Sequence, residues 1–446
     1  MKLLRCLSKL RDVRFGSATG AGKAIRLGAA GALLTTLLSA HAPLRAQEIP
    51  SDFKITERVA NNFKPIGGRV GSYFLYPEAD VEEATIDNVL ASHRNKQSDT
   101  IVTIKPALRV VGQGRNVAVR AVAYHSRELH RKLKSENASQ YGIIARSQLG
   151  DSQHSNLQTQ ISAERLVDQR QSINDVREAR SPVHRQRQAA EAKYTHAFNR
   201  VSLQSSIRSI RVDYADALDR NHNVIDQDFR DFAQLGAALE GRYDYPSGAF
   251  IVARGEFDRI RYDFSPGSLG FDPAVDRNRN SERVRVEAGA GLVFGNVLYA
   301  DIRVGYLQRS FHRQPLPIPT SAGASFRVSG AWNPRPQTTI EFSANRDFAE
   351  SSSRAILGYR VTGGSIRASH ALRRWATVSI GTSIQNYRPI GAGRTRTEFA
   401  LQSDAQYYLS RRYSLTAKLN YGSRDSNDQT VKYKAVRLAI GLRATL

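Results

Sequence analysis

A closed antiparallel β-barrel of about 18 strands, set in a membrane, is the fold class this 446-residue sequence predicts. Three observations predict it. Apolar and polar residues alternate with period two along most of the chain, in segments of about ten residues. Segments of that length exceed the five or six residues of an ordinary soluble strand, and they match the roughly 9–11 that cross a bilayer at a tilt. The links between segments alternate short and long, as they do in a barrel with tight turns on one side and loops on the other.

The first 46 residues read as an export signal. Lys2, Arg5, Lys9, Arg11, Arg14, Lys23 and Arg26 precede the apolar stretch Leu27–Leu38, and small residues follow it. Cleavage after Ala42 would leave Pro43 at the new terminus, so cleavage after Ala46 is preferred. The apolar run is about half the ~20 residues a membrane-spanning helix needs. Ser17–Ala24 faintly resembles a phosphate loop, but it lacks the leading Gly and the hydroxyl residue after Lys23, and it falls in the discarded segment.

The whole chain carries a formal charge of +24. Without residues 1–46 it keeps 57 basic and 40 acidic residues, a charge of +17. For an exported protein that excess points to outer-membrane lipid and lipopolysaccharide, acidic polysaccharide or small anions, and not to nucleic acid. The single cysteine, Cys6, lies in the signal, which excludes disulfide scaffolds and thiolate metal sites from the mature chain. No cofactor is expected. The negative mean hydropathy excludes a bundle of membrane helices but not a barrel, whose strands pair an apolar outer face with a polar inner one.

Residues 47–71 are expected in the periplasm or at the barrel entrance, and residues 72–446 in the barrel. The clear strands lie near 231–245, 249–262, 284–295, 298–308, 322–333, 337–348, 355–370, 374–388, 395–409, 412–423 and 431–446. Less clear ones lie near 72–82, 100–110, 115–126, 140–150, 156–165, 193–199 and 201–216. That makes 18, with 16 as the alternative because 126–200 is poorly patterned. Residues 164–192, rich in charge, Gln and Arg, are expected to be a long external loop or to carry a short helix. Short links such as Gly295-Asn296 and Arg373-Arg374 alternate with long ones at 263–282, 309–320 and 423–430. This order places the C-terminus on the periplasmic side.

Within each strand one face is nearly free of charge. In Tyr413–Gly422 that face carries Tyr413, Leu415, Ala417, Leu419 and Tyr421; in the last strand it carries Val436, Leu438, Ile440 and Leu442. A midplane Arg or Lys facing lipid costs about 2–4 kcal/mol, so the charged residues must turn to the lumen. By alternation Arg254, Glu256, Arg285, Glu287, Asp301, Arg303, Arg327, Glu341, Lys418, Arg437 and Arg443 are the candidate lumen-lining set. They could pair across neighbouring strands and keep the interior hydrated, or form a cationic lining that selects anions. Tyr407, Tyr408, Tyr413, Tyr421, Trp332 and Trp375 fall near strand ends, as a headgroup-level girdle requires.

The segments Asn62–Pro77, Ile86–Leu90 and Ser98–Leu108 resemble the start of the bacterial outer-membrane β-barrel porin type 2 family. Tyr194–Leu203 and Trp332–Ile340 are similar to that family's periplasmic hairpins, and the resemblance runs over nearly all of 62–446. Thr85-Ile86-Asp87 departs from the family's usual aromatic and second Asp. The chain ends in Leu446 rather than in the Phe that barrel-assembly machinery reads in many barrels, which bears on assembly and not on fold. The resemblance implies a barrel associated with exopolysaccharide or capsule export components.

No catalytic constellation stands out. His93, His125, His130, His154, His184, His196, His222, His312 and His370 are scattered, and only His125 and His130 fall close together, near a loop entrance. The sequence thus predicts a conduit. The alternatives are a non-conducting structural or adhesive barrel and, last, a barrel-embedded hydrolase.

Overall fold

The structure is a computed structural model, and it describes residues 49–151, 154–274, 276–312 and 320–446. The expected export signal, residues 1–46, lies outside the described residues. The chain forms one antiparallel sheet closed on itself, with eighteen long strands. In chain order these are β1 (Tyr73–Ile86), β2 (Asp99–Gln113), β3 (Val117–His130), β4 (Ala138–Asp151), β5 (Ser155–Val167) and β6 (His184–Phe198). They continue with β7 (Val201–Tyr214), β8 (Phe232–Asp244), β9 (Ala249–Tyr262), β10 (Ser281–Phe294), β11 (Leu298–Phe311) and β12 (Ser321–Arg335). The last six are β13 (Thr338–Ala349), β14 (Ile356–Arg373), β15 (Ala376–Gly391), β16 (Arg396–Tyr408), β17 (Tyr413–Ser426) and β18 (Tyr433–Thr445). Each strand pairs with its neighbours in sequence, and β18 returns to β1 with Glu78 opposite Thr445 and Ile86 opposite Arg437. Closure gives every long strand a partner on both sides, which is what lipid demands of a sheet.

Short turns gather at one end, where Leu446 also lies. The turn Tyr245–Gly248 is typical: Gly248 donates its N–H to the Tyr245 carbonyl at 3.0 Å and has φ +85°. A Cβ there would come within 2.2 Å of the Val293 carbonyl oxygen, so only glycine fits. The longer links 87–98, 131–137, 168–183, 215–231 and 263–280 lie at the opposite end, which is termed external, and the short-turn end periplasmic, after the usual placing of long and short links in such barrels.

The wall obeys the alternation read from the sequence. Ile143, Ile161, Leu235, Val286, Val304 and Ile440 are all more than half exposed on the outer face. Their strand neighbours Arg285, Glu287, Asp301 and Arg303 are buried on the inner face. Trp332, Tyr407 and Tyr413 lie outward near the periplasmic rim, half exposed, with Tyr194, Phe198 and Phe294 on other strands. Tyr408 is the exception. Its position on β16 turns it inward, where it stacks on Phe63 with centroids 4.8 Å apart.

The expected external loop 164–192 is shorter than that. Strand β5 runs to Val167 and β6 begins at His184, leaving 168–183 as the loop. His184, Gln186, Gln188 and Ala190 take the outer positions of β6 and Arg185, Arg187 and Glu191 the inner ones. This end of the strand stands above the apolar band, so both faces are polar and the period-two signal vanishes.

A short helix, α1 (Ile55–Asn62), precedes the barrel and packs inside its periplasmic mouth. Phe53, just before it, is buried with Tyr299 and Ala331, and the Ile55 N–H donates to Thr339 Oγ1 at 2.9 Å. Lys54 reaches Glu341 at 3.5 Å.

Candidate functional site: the bore and its constriction

The inner face of β7–β13 is an ion-pair lattice. At its centre Asp258, with no exposure, accepts from Arg208 Nε at 3.0 Å, from Arg283 Nε and Nη2 at 2.9 and 2.7 Å, and from Gln234 at 3.0 Å. Arg208 also holds Glu256 at 2.6 Å, and Arg283 and Arg285 both hold Asp347, at 3.4 and 2.6 Å. Lower on the wall Arg303 joins Asp301 at 2.9 Å to Glu240 at 2.8 Å, and Arg254 shares Glu240 at 3.2 Å. Gly236 makes room for the lattice, since a Cβ there would meet Asp258 Oδ1 at 2.2 Å and Arg208 Nε at 2.9 Å.

Ion pairs also lace the closing seam. Lys418 and Arg437 both reach Glu82, at 2.6 and 2.8 Å, and Arg443 reaches Asp80 at 2.6 Å. Further round, β2–β4 turn Lys105, Arg109, Arg120 and Arg146 inward. Arg120 faces Arg146 across the β3–β4 pair, and Arg109 bonds Glu78. Over the inner positions of the wall, basic residues outnumber acidic ones.

The loop 168–183 crosses the external mouth along a diameter. It leaves between β5 and β6, and eight strand steps in either direction around the sheet lead to β14 and β15. Against those two strands its tip residue Ile173 is buried, with Ile356, Tyr359, Val361 and Tyr387. Its base packs on Tyr214, Phe232, Ile260 and Tyr262 through Ala179 and Val183.

Arginines pin the span from both sides. Arg170 forks onto Glu136 at 2.8 and 2.9 Å and touches Asp175 at 3.3 Å. From the far wall Arg424 donates to the Gln171 carbonyl at 2.6 Å and Arg396 to the Ile173 carbonyl at 3.3 Å. Arg177 donates to the carbonyls of Ala91 and Val431 at 3.3 and 3.2 Å. Burial, with Arg424 and Arg396 nearby, holds the Arg177 pKa below its ordinary value. The crossing of the bore by the loop thus brings Arg177 and Arg396 together, with Arg424 buried behind them on Glu398 at 2.6 Å.

All eleven candidate lumen residues sit on inward positions of their strands, and each has an ion-pair partner there. Arg254, Glu256, Arg285, Glu287, Arg327, Asp301 and Arg303 belong to the lattice, with Glu287 between Arg285 and Arg327 at 3.8 and 3.6 Å. Lys418, Arg437 and Arg443 form the seam, and Glu341 meets Lys54. Asp258 and Arg283 lie on the same strands as candidate residues and Arg208 lies on β7; all three follow the same alternation, which could have found them. The loop residues Arg170, Ile173 and Arg177 left no such signal. His125 and His130 make no metal pair: His125 is outward beside Tyr141, and His130 is inward 3.4 Å from Asp99, as an odd spacing on a strand dictates.

The closed eighteen-strand wall, apolar outside and charged inside, defines an outer-membrane β-barrel of porin type. Residues 61–446 match the family described as Putative beta-barrel porin 2, and the chain belongs to that family. Among solved structures it is similar to the outer membrane protein OpdK from Pseudomonas aeruginosa, at 8% identity and a TM-score of 0.43 over 83% of this chain and 99% of that one. OccK2 (OpdF) of the same organism, solved in complex with glucuronate, matches at 9% identity and 0.45, over 85% of this chain and 98% of its own. The siderophore receptor PirA from Acinetobacter baumannii matches at 7% and 0.44, over 83% of this chain and 80% of its own. No curated protein matches.

Proposed function

We propose that the barrel is a conduit for small anionic solutes, entered through a mouth that the loop 168–183 narrows. The observation that carries this reading is the meeting of Arg177 and Arg396 where the loop crosses the bore. A solute passing there meets the guanidinium groups of Arg177 and Arg396 in a partly dehydrated setting, where charge acts more strongly than in water. The basic excess on the inner wall extends the same field towards the periplasm.

The reading favours small solutes over a polysaccharide chain, because the loop and α1 occupy the two mouths. Planar-bilayer recording in a potassium chloride gradient tests it. The reversal potential should report chloride preference, and Arg177→Ala with Arg396→Ala should reduce it. Cation preference, or an absence of conductance, would reject the proposal. A polymer-dependent block by acidic polysaccharide, with no permeation of small anions, would favour the export role that the resemblance implies.

A further inference from the structure

The outer wall carries a second cluster of basic residues, turned away from the bore. Near the external rim of β3–β6 lies an open hollow of about 270 Å³, lined by Arg127, Ser139, Tyr141, Arg165 and His184, with Asn137 and Ala138 at its upper edge. Strand register shows that these side chains face outward. Arg127 pairs with Ser139, Tyr141 with Arg165, and Val167 with His184, and every one shares its strand's outer face with exposed apolar residues.

Two properties set the hollow apart from an ordinary charged rim. Neither Arg127 nor Arg165 has a hydrogen-bonded or ion-paired acid among the described residues, although the inward arginines of the neighbouring β6 are paired, Arg185 with Asp168 and Arg187 with Glu164. His184 Nδ1 is also buried without a partner. The height is the second property. Below Tyr141 the next outward residue of β4 is Ile143, 59% exposed; below Arg165 the outward residues of β5 are Ala163 and Ile161, the latter 61% exposed. At about 3.3 Å per residue the guanidinium groups stand within one or two residue pairs of the hydrocarbon edge. A half-exposed tyrosine ring lies at the same level, the position such rings take at a headgroup.

Three cationic or donor side chains aimed at one hollow, with no acid of the protein to satisfy them, make an anion site. Their placement immediately above the apolar band decides which anion. We propose that this hollow binds the phosphorylated sugar headgroup of an outer-leaflet glycolipid, with Arg127 and Arg165 on phosphate and the acyl chains lying on Ile143 and Ile161. The site is separate from the bore, so it stands or falls independently of conduction.

The test uses the full mature barrel in nanodiscs and measures binding of bis-phosphorylated lipid A by native mass spectrometry. Dephosphorylated lipid A and inorganic phosphate serve as the other probes. Arg127→Ala with Arg165→Ala should weaken lipid A binding about thirtyfold, the combined effect of two arginines at a charged surface. Dephosphorylated lipid A should bind the unaltered protein as weakly as lipid A binds the variant. Arg127→Lys with Arg165→Lys should keep most of the affinity, and heat-modifiable gel mobility verifies that both variants are folded barrels. Equal binding of lipid A to the alanine variant would overturn the proposal. So would saturation of the hollow by inorganic phosphate at concentrations that leave lipid A displaced, since that would make it a site for free anions.

Discussion

Ile173 packs on Tyr387 from across the bore, joining the tip of a loop to the wall opposite the strands that launch it. That contact is apolar, so it closes the span without using the arginines that face passing solute. Ile173→Ala removes buried methyl groups at a cost of about 2 kcal/mol, enough to change the docked-to-undocked ratio roughly thirtyfold. Single-channel recordings should show a higher mean conductance with more frequent fluctuations. The thermal stability of the barrel should stay unchanged, because no wall hydrogen bond is touched.

The same loop should respond to pH. Burial pushes the Asp175 carboxyl up to about 6 despite the neighbouring Arg170, whose fork is engaged by Glu136. An undocked Asp175 returns to the ordinary carboxylate range near 4. The docked loop therefore takes up a proton between these values. Docking is strongest in acid and weakens as pH rises through 6. Conductance should be lower at pH 4.5 than at pH 7.5, and Asp175→Asn should flatten the dependence at the low-conductance level. A profile with the opposite slope would remove Asp175 as the titrating group.

Eighteen strands were legible because hydrocarbon and lumen impose opposite demands on alternate residues, as in β9, where the expected 249–262 and the observed Ala249–Tyr262 coincide. Pattern failed where the solvent is the same on both faces. The start of β6 reads His-Arg-Gln-Arg-Gln, and it is a strand because β5 and β7 bond it on both sides. Inward charges such as Arg303 and Glu287 were readable for the same reason as the strands. The constriction was not. Ile173 meets Tyr387 through closure of the whole sheet, a relation more than two hundred residues apart that no local period encodes.

Asp258 should be the most sensitive position of the inner lattice. It satisfies two arginines at once, and removing it leaves Arg208 with Glu256 alone and Arg283 with Asp347 alone, each guanidinium buried and under-compensated. Asp258→Ala should cost about 3–5 kcal/mol, measured as a shift in guanidinium-induced unfolding of the reconstituted barrel. Adding Arg283→Met should recover part of the loss, because breaking such a pair costs more than replacing it. A double variant no more stable than the single one would mean that Arg283 has other means of compensation.

The ladder between β12 and β13 stops short of the external rim. β12 and β13 pair from Trp332 opposite Ile340 up to Arg327 opposite Asn345, while Ser321–Phe326 bonds only β11. Two side chains cover the exposed edge: Arg346 Nη1 donates to the Ala324 carbonyl at 3.1 Å and Arg360 Nη1 to the Ala322 carbonyl at 3.5 Å. Arg346→Ala with Arg360→Ala should speed amide exchange of residues 321–326 several-fold and leave β1–β9 unchanged. Unchanged exchange at 321–326 would show that the arginines do not hold this edge.

At the periplasmic mouth Thr339 has no exposure and accepts the Ile55 N–H. Its own hydrogen has Asn333 Oδ1 at 2.7 Å and the Phe53 carbonyl at 3.0 Å as acceptors. A helix of eight residues is too short to persist alone, so α1 depends on these contacts and on Phe53 against Tyr299. Thr339→Val keeps the volume and removes the acceptor, leaving a buried N–H at a cost of about 1–3 kcal/mol. Combined with Phe53→Ala, it should release the segment. Protease added to the periplasmic side should then cut within residues 49–62, and conductance should rise while Ile173 still spans the other mouth. Ile173→Ala on that background should raise conductance again, because the two obstructions lie in series at opposite ends of the bore.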